Sequence, residues 1–369
     1  MTNDSAISRA GRLLHLRGET LAKGEPVALP LTQSSMFHLP GAPDAPHMYG
    51  RMSNPVWTAC EDALALLEDA PCLLFPSGMA AIAAVFHACL KSGDKVLLPS
   101  DGYYVTRVLV SDVLARFGVT AELRPTASYL DGGFDGFALV HIETPSNPGL
   151  DICDIAAVAA AARAAGAITV ADNTTMTPLG QRPLDLGVDI VVAADTKAPA
   201  GHSDILMGHA ATRDPALHKQ LADWRRITGV IPGPHEAWLL HRSLQTLEMR
   251  FERMCANAEQ LAPVLAGHPA VKKIRYPGLP GDPAANLAAQ QMTRPGFLIS
   301  LELESEQAAE NFINTCPLIQ PATSFGGVHT SAERRARWGD AVAPGFVRLS
   351  VGCEPYDDLE WALSKALGT

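Results

Sequence analysis

Short apolar runs that end in polar clusters recur through the middle of this chain. Residues 167–172 (Ala-Ile-Thr-Val-Ala-Asp) and 190–194 (Ile-Val-Val-Ala-Ala) are too short for helices and rich in β-branched residues. Each predicts a buried strand that delivers side chains to the rim of a sheet. Asp172 stands at the end of the first, and Lys197 just past the end of the second. Residues 72–82 read as a strand running through Ser77-Gly78 into an alanine-rich helix, 95–99 as the next strand, and 137–142 as another, followed by a helix at 153–165. Strand and helix alternating over roughly 130 residues predicts a mostly parallel sheet with helices on both faces. Ligands of such sheets collect at the carboxyl ends of the strands, where Tyr103, Tyr104, Asn147, Asp172 and Lys197 all fall.

The flanking segments carry different patterns. Residues 1–48 are poorly periodic and hold Pro26, Pro30, Pro40, Pro43 and Pro46, so they are expected to lie as an arm across another surface. Tyr49 and Arg51 follow, two apart on one face of an extended stretch, where a phenol and a guanidinium could grip one phosphate together. A helix begins near Val56. Beyond Gly201-His-Ser-Asp204 the chain reads as a polar helical stretch, then a Pro232-Gly-Pro234 break, then one long helix over 235–262. Strand candidates at 271–276, 297–303 and 346–351 mix polar with apolar positions, which suits a smaller sheet covered by helices on one side. Arg348 points to the opposite face from Val347 and Leu349, as either a structural ion pair or a carboxylate receptor. The expected division is an arm at 1–48, a cofactor-binding domain at 49–232 and a C-terminal domain at 233–369.

Composition narrows the function classes. With 369 residues, 47% of them hydrophobic, two domains can each bury a core. A net charge of −10 argues against nucleic acid or an anionic membrane as partner, and Arg334-Arg-Ala-Arg337 is too short a basic cluster to change that. Cys60, Cys72, Cys89, Cys153, Cys255, Cys316 and Cys353 have no metal-ligand spacing, so reduced thiols and no metal are expected. Met1-Thr-Asn-Asp-Ser5 offers no secretion signal and no apolar run is long enough for a bilayer, so a cytoplasmic enzyme is expected. A lone lysine after a strand is usually a solvated loop residue, and Asp172-Asn173 is a common turn-former. Together, an ammonium and a carboxylate from neighbouring strand ends meet the need of pyridoxal phosphate for a Schiff-base lysine and an acid that keeps its ring nitrogen protonated. The glycine turn that opens a helix at Ser77-Gly78 favours a phosphate.

From about Pro26 to the C-terminus the chain resembles the Cys/Met-metabolism pyridoxal phosphate enzymes, which include cystathionine γ-lyases, β-lyases and γ-synthases. The resemblance is carried by Tyr49-Gly-Arg51 with Asn54-Pro55, Ser77-Gly-Met79, Glu143-Thr-Pro-Ser-Asn-Pro148, Asp172-Asn-Thr174, Thr196-Lys197 with Gly201-His-Ser-Asp204, Ser324-Phe-Gly-Gly327 and Arg348-Leu-Ser-Val-Gly352. It implies the α/β type I fold of aspartate aminotransferase, with a large seven-stranded-type sheet domain and a smaller α+β domain. It also implies a homotetramer of dimers whose sites borrow Tyr49 and Arg51 from the neighbouring subunit.

By the same resemblance, Lys197 carries pyridoxal 5'-phosphate, Asp172 pairs with the ring nitrogen, and Tyr103 stacks on the ring, with Tyr104 as the alternative. Asn147 lies near the phenolic oxygen. Ser77, Gly78, Met79, Thr174 and Thr196 join the cofactor contacts, and Arg348 takes the substrate α-carboxylate with Ser324 helping. Departures are Ala194 where the family commonly has a hydroxyl, Ala198 where an aromatic often follows the lysine, Tyr104-Val105 for a glycine pair, and His329 for a glutamate that reads the distal amino group of cystathionine. His329 is therefore a candidate for substrate recognition. The stretch from Phe325 to Trp338 looks most like a shorter bacterial branch bearing the cystathionine γ-lyase label, so γ-elimination of cystathionine in transsulfuration is expected first. β-Elimination, γ-replacement on O-acylhomoserine and methionine γ-lyase activity share the same motifs, and a non-catalytic protein on a retired enzyme fold is a further alternative.

Overall fold

The computed structural model describes residues 7–368. Strands β1 (Cys72–Phe75), β2 (Lys95–Pro99), β3 (Thr120–Arg124), β4 (Leu139–Glu143), β5 (Ile168–Asp172), β6 (Ile190–Ala193) and β7 (Gly208–Ala211) form a seven-stranded sheet in the order β1-β7-β6-β5-β4-β2-β3. The run from β6 to β3 is parallel, while β7 is antiparallel to both β1 and β6. Every residue of β4 and of β6 is buried, as expected of central strands covered on both faces.

Helices Pro55–Glu68, Ile155–Ala164 and Pro234–Leu244 cover one face, and Gly78–Cys89 and Pro215–Thr228 cover the other. Their starts are written in the sequence. Asn54, Ser77, Asp154 and Asp214 each accept a first-turn N–H, and Pro55 and Pro215 occupy the first helical position.

A second sheet holds β8 (Lys273–Arg275), β9 (Leu298–Glu302), β10 (Gln320–Pro321), β11 (Ser331–Arg334) and β12 (Phe346–Ser350), in the order β10-β11-β12-β9-β8. Helices Leu247–Ala266, Glu306–Thr315 and Tyr356–Leu367 pack on its apolar face, around Ile299, Leu301, Val347 and Leu349. Arg348 faces the other way, toward the larger sheet's strand ends. The α/β architecture with its smaller second sheet is the expected one. Among the described residues no helix is long and apolar enough to cross a membrane.

Four local expectations need correction. The segment after Asp204 is not simply helical, because it first forms β7. Gly208-His-Ala-Ala has little strand propensity, and pairing with β1 and β6 imposes the conformation. Strand β3 lies at the sheet edge with no fully buried position, and so lacks the apolar run that marked its neighbours. The long helix is two, Pro234–Leu244 and Leu247–Ala266, because Arg250 reaches back to the Ser243 carbonyl at 2.8 Å and satisfies the end of the first. The arm contains a helix, Arg9–His15, capped by Ser8 and anchored by buried Leu13.

The chain changes core inside Leu247–Ala266. Leu247, Phe251 and Met254 belong to the larger core, and Leu261 and Leu265 to the smaller. Farther along the arm, Trp238 donates its indole N–H to the Leu29 carbonyl at 2.7 Å, while Val27 and Met36 are exposed at 81% and 76%.

Gly208 and Gly78 touch: a Cβ on Gly208 would lie 2.6 Å from the Gly78 Cα. Gly208→Ala is expected to cost about 1–3 kcal/mol through overpacking of rigid backbone. Gly18→Ala, which faces open space, is expected to leave stability nearly unchanged, and urea denaturation of the two variants checks both outcomes.

Candidate active site

A cavity of about 620 Å³ opens where the carboxyl ends of the larger sheet's strands meet the second sheet. Ser77, Gly78, Met79, Tyr103, Tyr104, Asn147, Asp172, Thr174, Thr196, Lys197, Ser324 and Arg348 all line it. Tyr49, Arg51 and His329 do not. Tyr49 is 45% exposed, Arg51 donates to the Arg226 carbonyl at 2.5 Å, and His329 is exposed outside the cavity lining.

At one end, helix Gly78–Cys89 points its N-terminus into the cavity. Ser77 accepts the Ala80 N–H at 3.0 Å as the cap, leaving the Gly78 and Met79 N–H groups without helical acceptors. A Cβ on Gly78 would lie 2.5 Å from that of Ala194, so helix and strand end meet without side chains between them. The Thr196 hydroxyl donates to the Met207 carbonyl at 3.1 Å and accepts the Met207 N–H at 3.0 Å. These bonds close the β6–β7 connection and hold Thr196 in the cavity wall, at the place expected of a phosphate contact. Thr174 accepts the Ala194 N–H at 2.8 Å and donates its own N–H to Asp172 at 2.9 Å.

Two carboxyls sit side by side, because Glu143 on β4 pairs in register with Asp172 on β5. Burial pushes the Asp172 carboxyl up, opposed by Thr174, Lys197 and His209. Burial and Asp172 together raise Glu143 to about 8. Glu143 accepts the Tyr103 N–H at 2.6 Å and the Asn147 N–H at 3.1 Å, so it sets the backbone of two cavity residues. Sequence reading quoted Glu143 within a motif and gave it no role, although it ends its strand as Asp172 ends the next.

Lys197 Nζ donates to Ser324 Oγ at 2.9 Å and lies 5.0 Å from the centre of the Phe325 ring. Burial, then Arg348, lower its ammonium to about 8. Arg348 sits over the same ring at 4.9 Å and donates to Asn147 Oδ1 at 2.6 Å, the Thr323 carbonyl at 2.8 Å and Glu333 at 3.1 Å. Its buried Nε has no partner among the described residues. Glu333 also binds Arg335, Arg337 and Trp338. Arg335 and Trp338 complete the cavity wall; both lie in the stretch read as a branch signature, where nothing in spacing alone marked them as lining residues.

The site fits an anionic, aromatic cofactor that carries an aldehyde. Helix N–H groups can receive a phosphate, Tyr103 and Tyr104 offer ring faces, Asp172 can oppose a ring nitrogen, and Lys197 is a half-buried amine of lowered basicity. Such a set at the strand ends of this α/β sheet defines a pyridoxal phosphate enzyme of fold type I. The sequence profile of the family described as Cys/Met metabolism PLP-dependent enzyme matches residues 13–368. The chain belongs to that family and is a PLP-dependent enzyme of the carbon–sulfur lyase and synthase group.

It is 48% identical over 353 residues, 94% of this chain and 90% of the relative, to a Streptomyces coelicolor protein that bears a provisional cystathionine γ-lyase name. It is 38% identical, over 92% of this chain and 91% of the relative, to the cystathionine β-lyase MetC of Bacillus subtilis. The crystal structure of metB from Corynebacterium glutamicum superposes with a TM-score of 0.94 at 34% identity, covering 99% of both chains.

The lowered basicity of Lys197 is open to direct measurement in cofactor-free protein. Its amine should become reactive as pH rises through about 8, well below an ordinary lysine. Amine labelling followed by peptide mass spectrometry across pH checks this, and a midpoint near that of surface lysines would contradict the buried setting.

Proposed function

We propose that this enzyme cleaves L-cystathionine by α,γ-elimination, giving cysteine, 2-oxobutyrate and ammonia. The observation that carries the reading is the joint presence of Lys197, Asp172 and Arg348 in one cavity, each from a different strand end or strand. Similarity to the Streptomyces relative favours the γ-reaction over its neighbours in the family.

Pyridoxal phosphate, when bound, supplies an electron sink for the pair left on the substrate Cα. Asp172 keeps the charge that this sink requires, and Lys197 Nζ is the base that takes the proton from Cα. An amine that titrates at about 8 suits that task, because it is available both as acceptor and as donor at working pH. Further proton exchange at Cβ lets the γ carbon–sulfur bond break, and the sulfur leaves as a thiol. Arg348 holds the α-carboxylate with its unpartnered Nε turned to use, while Asn147 and Glu333 fix the guanidinium plane. Tyr103, in the cavity wall, would pack against the cofactor ring.

The phosphate end of the cavity is poor in cations in this chain. Ser77, Gly78, Met79, Ala194 and Thr196, the residues at that end, carry no charge. That deficit supports a homotetramer in which Tyr49 and Arg51 of one protomer complete its neighbour's site, and the exposed Val27, Met36 and Tyr49 fit burial against such a neighbour. The working division keeps the arm at 1–48 and the cofactor domain from 49, but moves the start of the C-terminal domain from the expected 233 into helix Leu247–Ala266, because Pro234–Leu244 packs with the larger core. Seven free cysteines suit a cytoplasmic setting.

A second reading, β-elimination to homocysteine and pyruvate, is favoured by the Bacillus β-lyase relative. Purified enzyme offered cystathionine, O-succinylhomoserine and methionine in parallel should release cysteine and 2-oxobutyrate from the first, fastest. Homocysteine with pyruvate would replace this reading by the second. Lys197→Ala should abolish both turnover and the visible absorption of the bound cofactor.

A further inference from the structure

Behind the turn that carries Lys197, on the opposite face of the sheet, lies a charged cluster that takes no part in the cavity. His209 of β7, fully buried, places Nδ1 at 2.9 and 3.0 Å from the two oxygens of Asp195, and Nε2 at 3.3 Å from Glu68. Asp195 is likewise fully buried and Glu68 is 2% exposed. Both ring nitrogens face carboxylate oxygens, which only accept, so the ring is an imidazolium. Burial alone would lower His209, but Asp195 and Glu68 hold it up at about 10. The cluster sits near the Cys60 and Cys72 thiols, which are pushed up by burial and then by Asp195 at Cys60 and by Glu68 and Asp195 at Cys72.

Alternation along the chain explains the placement. Ala194 packs on Gly78 at the phosphate end of the cavity, and Asp195 turns to the rear. Thr196 ties to Met207, and Lys197 closes the turn through its N–H to the Ala194 carbonyl at 3.1 Å. On the far side of the lysine, Arg250 holds the Ala198 and Pro199 carbonyls. On the near side, Asp195 is the corresponding tether, and it is bound to the sheet through His209 and to the end of helix Pro55–Glu68 through Glu68.

We propose that the Asp195–His209–Glu68 cluster is a positioning device for Lys197, fixing from behind the sheet the turn that presents its amine to the cavity. The proposal rests on the reading of Lys197 as the cofactor's lysine. Three apolar side chains would fill this volume without the desolvation cost of three charges, so stability alone is a poor reason for the cluster. What ions supply and apolar groups do not is direction: two carboxylates and one planar ring admit few arrangements. The imidazolium also acts on Asp172 through the sheet, favouring its anion.

The test uses holoenzyme variants that keep shape and change charge in opposite senses. In Asp195→Asn and His209→Gln, cofactor affinity should weaken about tenfold or more and kcat should fall about ten- to a hundredfold, with KM changed far less. The pH midpoint of the bound cofactor's visible band should rise in His209→Gln, which leaves net negative charge behind the lysine, and fall in Asp195→Asn. Variants with a lowered melting temperature but unchanged cofactor affinity, kcat and midpoint would overturn the proposal and leave a purely structural cluster. If either variant fails to fold, Glu68→Gln alters the longest contact and should give a smaller shift in the direction of Asp195→Asn; no shift in that folded variant also overturns it. Persistence of the visible band in Lys197→Ala would instead remove the reading of Lys197 itself.

Discussion

Burying the Arg348 guanidinium, and half-burying the Lys197 ammonium beside it, is costly, and the surroundings of both are arranged around that cost. Arg348 is held by Asn147, Thr323 and Glu333, and Glu333 is in turn shared with Arg335, Arg337 and Trp338. Burial and Arg348 leave Lys197 an amine that gives up its proton near neutrality. Across the cavity, Glu143 and Asp172 stand in register on adjacent strands, and their mutual repulsion adds to burial in raising Glu143. Removing one member changes the charge state of the others, so the cavity behaves as a coupled set rather than as separate contacts.

That coupling is possible because the strand ends leave backbone groups unpaired. The Tyr103 and Asn147 N–H groups support Glu143, and Thr174 supports Asp172. The same end of the sheet supplies the start of helix Gly78–Cys89, whose first N–H groups have no partner of their own. Fold and chemistry meet in one requirement: polar groups that the sheet cannot satisfy internally are gathered where a ligand can satisfy them.

Much of this was legible in the sequence, and the misses have physical causes. Buried parallel strands such as β4 and β6 read as short β-branched runs, and the helix starts at Asn54-Pro55, Ser77 and Asp214-Pro215 carry their caps in plain view. Strand β7 was hidden because pairing, not propensity, makes it a strand, and β3 because an edge strand needs no continuous apolar face. Within the site, Asp172, Lys197 and Arg348 announced themselves as charges on or beside apolar strands. Thr196 lines the cavity as expected, and its bonds to Met207, which close the β6–β7 connection, were not legible because β7 itself was not. Arg335 and Trp338 reach the cavity only through the turn after β11, a long-range placement that no local spacing encodes.

Helix Leu247–Ala266 belongs to both cores, and the cavity has one jaw in each: Lys197 and Asp172 on the larger sheet, Thr323, Ser324 and Arg348 on the smaller. The gap between the jaws is therefore gauged by that continuous rod together with the ties that cross it, Arg348 to Asn147 at 2.6 Å and Ser300 to the Pro148 carbonyl at 2.7 Å. A substrate that must touch both jaws at once is measured as by a pair of calipers, and because Arg250 of the rod also grips the Ala198 and Pro199 carbonyls beside Lys197, the span is fixed next to the reacting amine itself.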